Sequence, residues 1–225
     1  MDRSVGRLDG RLELLLQISA AIGASEWEAL GSALDTALEG LGSIIEAGEI
    51  EEAILQSHLF VGYPSALNAL SLWRERLTER VPEAEIERTV EGVLDWGELS
   101  RRGAMICKRV YGSQYERLRA NIAQLHPDLE GWMLAEGYGK VLGRPGLDLK
   151  ARELCIAVTL SGIDAGPQLY SHLRGSLQVG AEPAEVEAAL EIATRVIAPE
   201  RGERAWEIWT EVRERWESRW RDDVR

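Results

Sequence analysis

The sequence predicts an all-α protein. Three observations predict it. Apolar residues recur at three- and four-residue steps through nearly every segment, prolines fall where helical periods begin, and no stretch alternates apolar and polar residues as a half-buried strand does. The chain has 225 residues, 45% of them hydrophobic, which is ample for a buried core. Its net charge of -12 repels phosphate backbones and argues against nucleic acid as a partner. No run approaches the roughly 18 to 20 apolar residues that span a bilayer. The mixed-charge start MDRSVGRLDGRLELL lacks a signal-peptide core. The expectation is a soluble cytoplasmic protein with no membrane partner.

The elements follow in order. LELLLQISAAIG (12–23) is mostly apolar and leads to a Gly stop. EWEALGSALDTALEGLG (26–42) puts Trp27, Leu30, Leu34, Ala37 and Leu38 on one helical face. EIEEAILQSHLFVG (49–62) is a third helix with Gly62 as its C-cap, and Pro64 opens PSALNALSLWRERL, because Pro is tolerated in a first turn. Pro82, Pro127 and Pro183 carry the same start signal, and His126 before Pro127 reads as a helix-start residue. Roughly ten to twelve helices follow from this periodicity. The final stretch (204–225) lines Trp206, Trp209, Trp216 and Trp220 along one face. Two readings stand for it: a last helix packed on the body, or an oligomer contact.

An internal repeat is visible. Residues 11–40 can be laid on 151–180, with Glu13 on Glu153, and EIEEAIL (49–55) on AEVEAAL (184–190), which puts Pro64 on Pro199. Two copies of one helical unit are expected to bury their apolar faces against each other. In this alignment Ser32 takes the place of His172.

The stretch RPGLDLKARELCIAVTLSGIDAGPQLYSHLRGSLQVGAEPAEVEAAL (144–190) resembles the carboxymuconolactone decarboxylase family. The likeness lies in an RPGLD-type turn, an REL-type helix, a QL-x-x-H helix and a G-A-x-x-x-E-V start, in that order. Residues 110–143 resemble the segment upstream, and HLFVGYPSALNAL (58–70) resembles the family's other end. The resemblance implies an alkylhydroperoxidase D-like helical fold of two tandem units. It divides the chain into a diverged unit over 1–80, a helical linker over 81–104 and a second unit over 105–225. It also implies a homo-oligomer, a trimer or hexamer.

The wider superfamily carries a Glu–x11–Cys–x2–Cys–x3–His pattern. Glu153 and His172 hold its two ends, but Ala165 and Gln168 stand at the cysteine positions. Thiol peroxidase chemistry needs a nucleophilic and a resolving thiol. Cys107 and Cys155, the chain's two cysteines, are spaced neither as a redox pair nor as a zinc half-site. That reading is therefore rejected.

The resemblance implies a cofactor-free lyase acting on a small unsaturated, carboxylated, lactone-type substrate. Loss of carbon dioxide leaves an enolate, and the protein must orient the carboxylate and deliver a proton. His172 suits proton delivery and Glu153 would fix its tautomer. Gln168, one turn before His172, would bind a substrate carbonyl. Arg174 and Arg144 would hold a carboxylate, and His58 would reach a site formed between copies. Each also has a plain reading as a packed or solvated residue. The three histidines show no metal-ligand spacing, so neither metal nor organic cofactor is expected. Two other classes stay open: a redox protein of the same superfamily that has lost its cysteine pair, and a non-catalytic oligomeric scaffold.

Overall fold

The computed structural model describes residues 8–82 and 95–223, with side chains to residue 218. Among the described residues the regular elements are helical. The chain divides into two compact units: Met1–Ala84 with Lys150–Arg225, and Glu85–Leu149. Residues 105–149 and 150–225, joined in the sequence reading, therefore lie in different units. The expected helical linker falls largely on 83–94, outside the described residues.

The first unit holds α1 (Gly10–Ala24), α2 (Trp27–Glu39) and α3 (Ala47–Arg80) from the start of the chain. From its end come α7 (Leu149–Gly162), α8 (Gly166–Gln178), α9 (Pro183–Thr194) and α10 (Pro199–Asp223). Asp9 starts α1, its side chain accepting from the Leu12 amide at 2.7 Å, and Ser25 ends it in the left-handed region. Helices α1 and α7 are buried nearly all round and form the centre of the core. They meet at glycines. A Cβ on Gly23 would lie 2.5 Å from the Thr159 carbonyl oxygen, and one on Gly162 would overlap the Gly23 backbone. The Thr159 hydroxyl donates to the Ser19 carbonyl at 3.2 Å across the same contact.

The two arms of this unit repeat each other in detail, and the backbone corrects the register read from the sequence. Gly10 and Leu149 begin corresponding helices, Ser25 and Asp164 both cap in the left-handed region at φ 59° and 55°, and Trp27–Glu39 corresponds to Gly166–Gln178. Each pair is offset by 139 residues. Further on, Glu46 with Glu49 and Glu182 with Glu185 form matching capping boxes, offset by 136. Matching Glu13 to Glu153 by letter slips the register by one residue. The caps place Leu14 opposite Glu153 and Ala33 opposite His172.

Helix α3 keeps both expected signals in one element. Gly62 breaks it at φ 76°, ψ 167°, a backbone region open essentially to glycine alone, and Pro64 resumes the helix. Helix α10 packs as a final helix on its unit. Ala205, Trp209 and Val212 are buried, Trp206 and Trp216 half-buried, and the Trp220 side chain lies outside the described set.

The second unit comprises α4 (Trp96–Tyr111), a short 3₁₀ turn, α5 (Tyr115–Leu125), α6 (Pro127–Trp132) and a π-helix over Met133–Leu142. His126 caps α6, its Nδ1 accepting from the Asp128 amide at 3.2 Å. Helix α4 meets the π-helix backbone to backbone: a Cβ on Gly103 would overlap the Leu134 carbonyl, and one on Gly139 the Leu99 carbonyl. Arg102 Nε donates to the Gly139 carbonyl at 2.6 Å. Tyr115 is buried beside Arg119, and burial pushes its phenol above its ordinary range although the guanidinium works the other way.

Candidate functional site

Helices α7 and α8 form a hairpin joined by 163–165, with Asp164 taking the left-handed conformation that reverses the chain. This brings Glu153 and His172 together. His172 Nδ1 lies 2.8 Å from Glu153 Oε2, with the two side chains 8% and 0% exposed. With Glu153 ionised, the bond needs the hydrogen on Nδ1. The other carboxylate oxygen, Glu153 Oε1, is buried and makes no hydrogen bond within the protein. Such an atom carries a desolvation cost that calls for an explanation. Phe60 of α3 stands edge-on to the imidazole, ring centroids 5.8 Å apart and planes at 86°. The His172 carbonyl accepts from the Ser176 hydroxyl at 2.9 Å, which ties the turn below.

Beside the pair lies a polar network that the sequence reading missed. Arg152 is fully buried, and its Nη2 donates to Glu52 Oε2 at 2.7 Å, with side-chain exposures of 1% and 3%. Its Nη1 donates to Gln56 Oε1 at 3.3 Å, and Gln56 Nε2 returns a bond to the Arg152 carbonyl at 3.4 Å. Glu52, Gln56 and Phe60 are spaced by four, so one stripe of α3 serves both Arg152 and His172. The available signal was polar residues at helical spacing inside an otherwise apolar run. Their partner lies about a hundred positions away and nothing local announces it.

The remaining expected residues are placed as follows. Gln168 is exposed in the first turn of α8, one turn before His172. Arg174 is half-buried on α8. His58 Nδ1 is held 2.5 Å from the carbonyl oxygen of Leu55 on its own helix, and its ring packs 5.1 Å from Tyr63. Arg144 belongs to the second unit. Cys107 and Cys155 are buried free thiols in different units. Among the described residues no three potential metal ligands cluster. Three surface grooves run along α9 and α10 and near Glu26 and Arg195, and neither Glu153 nor His172 lines them.

No family model matches the chain. It is similar to Peroxisomal protein 2 of Schizosaccharomyces pombe, 29% identical over 161 residues, covering 71% of this chain and 73% of that protein. It is also similar to Peroxisomal protein 2 of Saccharomyces cerevisiae, 23% identical over 171 residues, covering 64% of this chain and 59% of that protein. These names give a compartment and no reaction. They overturn the expected lactone-type decarboxylase and lyase, and the redox and scaffold alternatives fit them no better. They overturn the cytoplasmic expectation as well, since both relatives are named peroxisomal.

Proposed function

We propose that this chain is an enzyme in which Glu153 and His172 act as a buried acid–base pair on a small organic acid. The carrying observation is the 2.8 Å contact between two side chains that are almost wholly withdrawn from water. His172 Nε2 takes a proton from carbon, the electron pair moves to the adjacent carbonyl oxygen as an enolate, and the imidazolium returns the proton. Glu153 orients the ring and supports its charged form during the transfer. The scaffold reading that goes with this is an alkylhydroperoxidase D-like fold assembled as a homo-oligomer. It is supported by the in-register motifs and the paired caps of the two arms.

The test is hydrogen exchange at carbon. Pyruvate and phenylpyruvate are incubated with the protein in deuterium oxide, and loss of the C3 proton signal is followed against buffer. Wild type accelerates exchange, His172→Ala returns it to the buffer rate, and Glu153→Gln lowers it by about 10²-fold or more. An unaccelerated wild type, or a His172→Ala variant as active as wild type, defeats the reading. The compartment named by the relatives is taken as this chain's own. A fluorescent fusion expressed in fission yeast tests it, and a diffuse signal separate from a peroxisomal marker counts against it.

A further inference from the structure

One stripe of α3 carries both the partners of Arg152 and the ring against His172. Glu52 and Gln56 hold the buried Arg152, the residue before Glu153. One turn on, the same stripe presents Phe60, which stands edge-on to the His172 ring and is itself only half-buried. Phe60 therefore links the buried imidazole to the surface. Glu153 Oε1, buried without a protein donor, offers an acceptor to whatever arrives.

The backbone that carries Phe60 is suited to yielding. Gly62 leaves the helical conformation two residues later, and Pro64 has no N–H to donate to the Phe60 carbonyl. The last turn of that helical segment thus lacks the hydrogen bond that would anchor it in a continuous helix.

We infer that Phe60 is the specificity-determining residue of this site, and that its ligand is a small acid carrying a flat apolar group. The polar end, a hydroxyl or enol, donates to Glu153 Oε1 beside His172. The apolar end replaces the imidazole edge contact on Phe60. This rests on the acid–base reading above and narrows it to ring-bearing substrates.

Phenylpyruvate and pyruvate form the deciding pair, because they differ only by the ring. In the deuterium-exchange assay wild type favours phenylpyruvate, each rate taken relative to its own buffer rate. In Phe60→Ala the ratio of the two kcat/KM values falls about three- to tenfold, the range typical of one aromatic contact, with the loss mainly in KM. Phe60→Leu, which keeps the bulk, gives an intermediate ratio and serves if the alanine variant fails to fold by circular dichroism. Equal use of both acids by wild type, or an unchanged ratio in both variants, overturns the inference. Dependence on His172 in the same experiment would leave the acid–base reading standing. Exchange that ignores His172→Ala overturns both.

Discussion

The two arms of the first unit fold alike and differ at the pair. Both start their third helix with a glutamate capping box, and both tie it to a cation on their first: Arg11 to Glu49 at 2.5 Å, Lys150 to Glu185 at 2.7 Å. Both bury a tryptophan that donates to a glutamate, Trp73 to Glu51 at 3.3 Å and Trp209 to Glu187 at 3.2 Å. Where the second arm places Glu153 and His172, the first places Leu14 and Ala33, both buried at 6% exposure. The hairpin closes with apolar residues in those positions. The scaffold therefore does not need a buried carboxylate and imidazole, which cost desolvation that leucine and alanine avoid. That contrast is the strongest structural argument that the second arm keeps them for chemistry.

The comparison is open to breaking, and the largest expected effect lies beside the pair. Arg152→Ala strands Glu52 in the core and should cost about 3–5 kcal/mol in urea unfolding, whereas Arg152→Met with Glu52→Leu should recover most of it. A single variant as stable as wild type would show that the network is not a buried ion pair in solution. Next comes the break in α3, whose counterpart is the turn before Pro199. Gly62→Ala should lose about 1–3 kcal/mol because alanine does not tolerate that φ, ψ pair. A neutral result would mean the chain passes the break in another conformation. The matched tryptophans come third. Trp73→Phe and Trp209→Phe should each lose about 1 kcal/mol, the net worth of one hydrogen bond, and by similar amounts. Unequal losses would limit the symmetry to the backbone. The smallest change in stability should come from writing the first arm's residues into the second. Glu153→Leu with His172→Ala should leave the urea midpoint unchanged or slightly raised, while carbon exchange disappears. Unfolding of that double variant would contradict the lesson drawn from the arms.

Much of this was legible in the sequence because punctuation residues act locally. Gly62, Pro64, Pro127 and Pro183 mark their helix boundaries through φ preference and missing donors, whatever the rest of the chain does. The nearness of Glu153 and His172 was legible for a similar reason, since two successive helices with a three-residue join have few ways to pack. The repeat was visible but slipped by one position. Letter identity favoured Glu13 with Glu153, whereas the fold aligns caps, and a one-residue slip turns a helix by about 100°. Gln168 lies one turn before His172 on the same helix, as its spacing implies, and it is exposed where His172 is buried. The Arg152–Glu52 bond and the π-helix over Met133–Leu142 left no local trace. One joins distant segments, and the other depends on how a helix is packed.

The crossing of Gly23 on Gly162 has a consequence for how the chain is made. One flank of α1 is completed only by a helix that emerges some 140 residues later, at the pace of translation. Until then a mostly apolar helix waits with its most closely fitted surface bare. Such sequence-distant contacts slow folding, since a long loop must close before they form. During synthesis, then, this surface of α1 stays uncovered until α7 emerges, although in the finished protein the helix is among the most deeply buried.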